Sequence, residues 1–233
     1  MIEFVPLTHH GRRYESDVTV RLSDADPQGL LRLDGIARFL QDVATEDWED
    51  SGIVSDDTWV VRRTVIRQVR QRWPTMSERL QVTTWCGGVG AAWAERRTDI
   101  AIGEETVLES AALWVPVDRS GHPVRVRPEF FEVYGDATRG RKVSGRVTLV
   151  APPEDAPRRA WPLRRADLDV VGHVNNAAVW QAVTEVVDVP VRHVEVIHHG
   201  AVENGHHVEL VTVPGSMWLL VDDQVRVAAN FEV

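Results

Sequence analysis

The sequence predicts an α+β protein made of two similar units, each a long helix wrapped by an antiparallel sheet. Three observations lead there. A D-x-D-x-x-G string occurs twice, as Asp24 to Gly29 and Asp167 to Gly172, at a constant offset of about 143 positions. The apolar positions of a helical pattern follow at that same offset. Ile36, Phe39, Leu40 and Val43 fall on Val179, Ala182, Val183 and Val186, a spacing that buries one helix face. Each helical pattern is then followed by several stretches that read as strands.

Taken in order, Tyr14 to Leu22 alternates as a strand does, and Asp24 to Gly29 is a turn punctuated by Pro27 and Gly29. Leu33 to Asp50 carries the apolar stripe of a helix, with Gly52 as its stop. Thr58–Trp73, Glu78–Cys86, Ala91–Ile102 and Thr106–Val117 read as strands, and Gly87-Gly88-Val89-Gly90 as a hairpin turn, since it lacks the spacing of a phosphate loop. Asp118 to Pro162 gathers Pro, Gly and charge and reads as a connector. A second helical pattern, Ala177 to Val187, precedes four strand-like stretches: Val189–His199, His206–Val213, Met217–Val221 and Val225–Val233. Asn204-Gly205 between the first two is a hairpin signal. The expected division is a first unit over 1–130, a connector over 131–160 and a second unit over 161–233.

Composition narrows the function classes. A net charge of −9 over 233 residues and a pI near 5.5 argue against nucleic acid or an anionic membrane as the main partner. No apolar run is long enough to insert in a membrane or to act as a signal peptide, and one cysteine cannot form an internal disulfide, so a cytoplasmic protein is expected. Nine tryptophans read as anchors of a core, or as the lining of an elongated apolar pocket. His198-His199 and His206-His207 are strand neighbours that point to opposite faces, so each pair offers a metal at most one ligand; no metal site is expected. Cys86 has no His or helix terminus near it in sequence and reads as a structural thiol. Arg62, Arg63, Arg67, Arg70 and Arg72 read as a solvated strand face with local partners, or as a docking patch for an acidic carrier protein or a phosphopantetheine-type phosphate.

The candidate chemistry lies in Ala166 to Asn176, directly before the second helix. Backbone N–H groups at such a helix start receive an anion or a developing oxyanion, here those of Gly172 to Val174. His173 is the one side chain there that titrates near neutrality and suits a general base. Asn175 and Asn176 either position water or cap the helix. Asp167 matches Asp24 of the first copy and reads as a turn-former. In the first copy Leu30 stands where His173 stands in the second. The reading is one duplicated scaffold with a single equipped site.

Taken together, Arg21-Leu22-Ser23-Asp24-Ala25-Asp26, Phe39 to Ala44, Thr83-Thr84-Trp85, Arg96-Arg97, Trp114 to Asp118 and above all Asp167-Leu168-Asp169…Gly172-His173-Val174-Asn175-Asn176 resemble the acyl-acyl carrier protein (acyl-ACP) thioesterases. The resemblance implies a tandem (double) hot dog fold, with the acyl chain enclosed by the first half and the catalytic groups in the second. It implies hydrolysis of acyl-ACP or acyl-coenzyme A in fatty-acid synthesis, without a cofactor, by a monomer or homodimer. Asp169 and His173 match the family's catalytic Asp and His, and Glu185 a Glu on its second helix. Gly172, Val171, Asn175 and Asn176 would contact substrate. Val171 stands where the family usually carries Asn, and the family's later acid falls near Ala201, with Glu195 and Glu203 the closest acids. Those departures keep two other functions open: a module that binds acyl thioesters with weakened turnover, and a hot dog hydratase or dehydratase.

Overall fold

The computed structural model describes residues 2–170 and 172–233. The first half runs β1 (Arg13–Thr19), α1 (Leu33–Asp50), β2 (Thr58–Gln68), β3 (Arg79–Val89), β4 (Ala94–Ile102) and β5 (Glu105–Val117). A short helix, α2 (Pro128–Tyr134), opens the connector. The second half runs β6 (Arg158–Ala160), α3 (Asn176–Thr184), β7 (His193–His198), β8 (Val208–Val213), β9 (Ser216–Val221) and β10 (Gln224–Glu232).

All ten strands form one sheet, in the order β1-β3-β4-β5-β2-β7-β10-β9-β8-β6. Each half therefore threads its strands in the same order, and β2 meets β7 antiparallel at the centre, from Arg63 opposite Ile197 to Arg67 opposite His193. That central pairing joins residues far apart in sequence, so neither segment's own pattern announces it.

The largest apolar cluster lies between the two helices and the sheet. α1 turns Ile36, Phe39 and Val43 inward and α3 turns Val179, Trp180, Ala182 and Val183 inward, onto Ile66, Val194, Val196 and Leu210 of the sheet. The two helices also touch each other. Each large apolar side chain buried this way stabilises by roughly 1.5–3 kcal/mol.

α1 has 18 residues and α3 nine, so the second helix is half the length of the first. α3 is capped at Glu185, and Val186, Val187 and Pro190 follow: β-branched residues that propagate a helix poorly and a proline that cannot donate to one. Gly87 and Gly88 lie inside β3, at a bulge, and not in a hairpin turn. A Cβ at Gly87 would stand 2.5 Å from Cγ of Arg97, and one at Gly88 2.6 Å from Cγ1 of Val143; glycine serves close approach here. Asn204-Gly205 does form a tight turn, closed by His206 N–H on the Glu203 carbonyl at 3.2 Å. It joins strands that are not neighbours, because β10 lies between β7 and β9 and β8 pairs with β9 and β6. No helix among the described residues is long and apolar enough to cross a membrane.

Candidate active site

The two D-x-D strings fold identically, and their hydrogen bonds say what the aspartates do. Asp24 ends a 3-10 turn and accepts from Arg21 N–H at 2.8 Å; Asp167 accepts from Arg164 N–H at 2.8 Å in the second copy. Asp26 accepts from Leu30 N–H at 2.8 Å and Asp169 from His173 N–H at 3.0 Å. Both turns close with the reciprocal bond, Asp26 N–H to Leu30 O and Asp169 N–H to His173 O, each 2.8 Å. The repeated string is thus a backbone device first: its carboxylates occupy donors that would otherwise be left open at the approach to a helix.

The backbone donors expected to receive an oxyanion are engaged within the fold. Gly172 N–H bonds Asp169 O at 3.1 Å, His173 N–H the Asp169 carboxylate, and Val174 N–H the Val202 carbonyl at 2.8 Å. The turn that presents His173 uses these donors to hold its own shape. Gly172 takes a φ of +85°, a left-handed conformation that favours glycine. Val171 lies outside the described residues. His173 itself is exposed, and its backbone pairs with Glu203 across an isolated bridge, so Glu203 of the two candidate acids is the one beside it. Glu195 instead sits on β7, 3.9 Å from Arg63.

The two asparagines divide the roles proposed for them. Asn175 is the helix cap: its Oδ1 accepts from Ala177 N–H at 2.8 Å. Asn176 lines a small cavity of about 30 Å³ with Ala177 and Trp180 on one side and Ala37, Leu40, Thr64 and Ala112 on the other. Glu185 is exposed at the opposite end of α3, roughly 15 Å along the axis from the cap at 1.5 Å per residue, with Arg164 the charge that feels it. The fold does not bring it to His173.

Gln41, Arg96 and Trp114 line that small cavity and also a larger one, of about 350 Å³, in the first half. Trp48, Trp59, Phe130 and Tyr134 give the larger cavity an aromatic wall, so several tryptophans line a pocket and others, such as Trp73 and Trp180, anchor the core. α2 forms its roof, inside the stretch that reads as a connector; Pro128 at its start and the helical spacing of Phe130, Phe131 and Tyr134 are its sequence signal. The roof is tied down by a buried cluster. Asp47 on α1 is 1% exposed and accepts from Tyr134 Oη at 3.0 Å, Arg12 Nε at 2.7 Å and Arg96 Nη1 at 2.7 Å. Cys86 also faces this cavity, and burial pushes its thiol up to about 11, the reverse of what a nucleophile needs.

The arginine strand face has local partners. Arg67 pairs with Glu109 at 2.5 Å, Arg70 with Glu105 at 3.3 Å and Arg72 with Glu78 at 2.8 Å. Among the described residues no group of three His, Cys, Asp or Glu converges to hold a metal.

The strand order and the helices packed on one sheet face define a hot dog protein. Residues 11–134 match the acyl-ACP thioesterase N-terminal domain and residues 150–223 the C-terminal domain. The chain belongs to the acyl-ACP thioesterase family, a family of hydrolases. It is 27% identical over 179 residues to an uncharacterized protein of Mycobacterium tuberculosis, covering 76% of this chain and 71% of that one. It is 25% identical over 198 residues to the chloroplastic oleoyl-acyl carrier protein thioesterase of Coriandrum sativum, covering 74% and 53% of the two chains. Its fold matches a putative oleoyl thioesterase from Lactobacillus plantarum with a TM-score of 0.80 at 17% identity, over 95% of this chain and 96% of that one. The 12:0-ACP thioesterase from Umbellularia californica matches with a TM-score of 0.79 at 18% identity, over 94% and 96%.

Proposed function

We propose that this protein hydrolyses acyl thioesters, with acyl-ACP or acyl-coenzyme A as substrate, and that it is a tandem hot dog whose first unit (1–130) holds the acyl chain and whose second (161–233) carries the reacting groups, joined by 131–160. The observation that carries the reading is the pair of adjoining cavities. An aromatic-walled space of about 350 Å³ shares Gln41, Arg96 and Trp114 with a small space that ends on Asn176, three residues after His173. An acyl chain in the larger space puts its thioester carbonyl near the start of α3.

In this reading His173 takes the proton of the attacking water and Asp169 keeps the turn that presents it. The Asn176 amide faces the carbonyl oxygen, where a preorganised donor is worth about 10²–10³ in rate. This reading assigns Glu203, whose backbone pairs with that of His173, as the acid that acts on it.

Purified protein incubated with acyl-ACP and acyl-coenzyme A panels should release free thiol, and His173→Ala should abolish the release. Unchanged release by that variant would remove the assignment. A second reading, a binding module with little turnover, is favoured by one feature: Asp169 does the same backbone work as Asp26, in a copy that has no histidine. Saturable protection of the acyl chain without product over hours would decide for it.

A further inference from the structure

The small cavity is polar where an apolar chain would have to pass. Gln41, Thr64, Arg96, Thr98, Ser110 and Asn176 all contribute polar side chains to its lining. The sheet places four of them. Arg96 stands opposite Ala112 and Ala112 opposite Thr64, while two residues along Thr98 stands opposite Ser110. Alternate residues of a strand return to one face, and Ser110 pairs with Ile66 of the core beneath the helices. All four therefore project from the helix-covered face, where Gln41 of α1 and Asn176 of α3 complete the lining.

Most of these groups have polar atoms that the fold leaves unused. Among the described residues the side chains of Gln41, Thr64, Ser110 and Asn176 make no hydrogen bond. Arg96 donates through Nη1 alone, to Asp47 at 2.7 Å and to Thr84 Oγ1 at 3.2 Å, so its Nε and Nη2 stay free. Thr64 and Ser110 are buried, 7% and 4% exposed. The described side-chain atoms that lack a partner and are also sealed from any water-sized space are nitrogens on six other residues. The Thr64 and Ser110 hydroxyls are not among them, so both still reach open space, and the space on their face of the sheet is this cavity. At about 30 Å³ it has room for about two oxygen-sized groups.

We propose that the preferred substrate carries an oxygen within the first few carbons after the thioester carbonyl, as 3-hydroxyacyl and 3-oxoacyl groups do, and that the small cavity is the subsite for that oxygen. This rests on the hydrolase reading above, in which the carbonyl lies at Asn176 and the chain leaves for the larger cavity past Gln41, Arg96 and Trp114. The first carbons then run along the polar wall. A plain methylene chain strips water from those hydroxyls, amides and guanidinium N–H groups and offers nothing in return, whereas buried polar groups are nearly always satisfied. An oxygen on the chain restores the bonds. Arg96 and Gln41 donate to it, and the Thr64 and Ser110 hydroxyls, which both donate and accept, suit an oxo or a hydroxyl oxygen equally. The remainder of the chain fills the aromatic-walled cavity.

The test follows thiol release by wild-type protein from coenzyme A thioesters of one chain length, plain, 3-hydroxy and 3-oxo. The better oxygenated chain should exceed the plain one about 100-fold in kcat/KM, since a site built to hydrogen-bond a substrate oxygen discriminates at least that strongly. Thr64→Val and Ser110→Ala each remove one hydroxyl and nearly keep the shape, and each should lower that ratio about tenfold. A ratio taken within one protein does not depend on how much of a variant folds. Oxygenated chains within about threefold of the plain one, or a ratio unchanged from wild type in both variants, overturn the proposal; the hydrolase reading then stands wherever the plain thioester releases thiol. A protein that hydrolyses none of the three overturns that reading, and the subsite is then read from affinity for S-alkyl-coenzyme A thioethers. The 3-hydroxyalkyl thioether should bind about tenfold more tightly than the plain one, and equal affinity overturns the proposal as well.

Discussion

Asp26 and Asp169 brace the same turn in the two halves, each accepting the backbone N–H four residues ahead, from Leu30 at 2.8 Å and from His173 at 3.0 Å. Only the second turn carries an imidazole, so the pair separates structural from catalytic work. Asp26→Ala should lower unfolding stability by about 1–2 kcal/mol, for lost backbone acceptors, and leave turnover unchanged. Asp169→Ala should cost about the same in stability and, because it frees the turn that presents His173, at least tenfold in kcat. Urea unfolding with single-turnover kinetics on both variants checks this. Equal kinetic effects would mean that neither carboxylate serves the reaction directly.

The Asp47 cluster should be the costliest polar feature to break. Asp47 is 1% exposed, and two guanidinium groups and the Tyr134 hydroxyl converge on it. Asp47→Ala takes the carboxylate away from two guanidinium groups beside the larger cavity, leaving Arg96 only the Thr84 hydroxyl and Tyr134 only the backbone carbonyl of residue 47, so a loss of about 3–5 kcal/mol is expected. Tyr134→Phe, which removes one bond, should lose about 1 kcal/mol. Chemical denaturation of the two variants gives both numbers.

Asp99 should make the protein less stable as pH rises. Its carboxyl on β4 is half-buried and faces Glu109 across the β4–β5 pair, and burial first, then Glu109, push it up to about 7. Near pH 3 the carboxyl is protonated folded or unfolded and contributes nothing. Between its ordinary pKa of 3.8 and about 7 the unfolded chain ionises it and the folded chain does not, so this group increasingly favours unfolding. Above that range the penalty is constant. Asp99→Asn should therefore be neutral near pH 3 and stabilising at pH 8 by on the order of 2 kcal/mol, after screening by solvent. Equilibrium unfolding of both proteins across that range reads the difference directly.

Cys86 should resist alkylation. Burial raises its thiol to about 11 and the folded chain covers it, so neither thiolate nor access is supplied at neutral pH. Iodoacetamide should label native protein very slowly and urea-unfolded protein fully, by mass spectrometry. Rapid native labelling would mean that the larger cavity opens readily.

Much of this architecture is written locally. The D-x-D strings and the stripe Ile36, Phe39, Val43 are read within a few turns of chain, and the folded protein repeats their hydrogen bonds in both halves. What stayed hidden depends on distant partners. The pairing of Thr64 with Val196 joins strands from different halves, and it alone sets the β7 side of the sheet against the small cavity that Thr64 lines. α3 is shorter than its apolar pattern suggests because Val186 and Val187 keep helical phase beyond the point where Pro190 and β-branching stop the backbone. A helix start leaves N–H groups open in principle, but those of Gly172 to Val174 are already held by Asp169 and Val202. Competition from side chains and neighbouring strands is invisible to spacing.

Ala44 offers the most direct control of substrate length. It is a small residue on α1 at the wall of the cavity of about 350 Å³, among Gln41, Trp48 and Trp59. The wall is closely packed, so a larger side chain there fills empty space before it displaces neighbours. Ala44→Phe should occupy room that several methylenes of an acyl chain would use, without touching Asn176 or His173. The ratio of kcat/KM between chains two methylenes apart should shift about tenfold or more toward the shorter one, since each methylene in an apolar pocket is worth about 1–3 kcal/mol. Competition between paired acyl-coenzyme A substrates measures the ratio. An unchanged preference, with turnover intact, would mean that the chain lies somewhere other than this cavity.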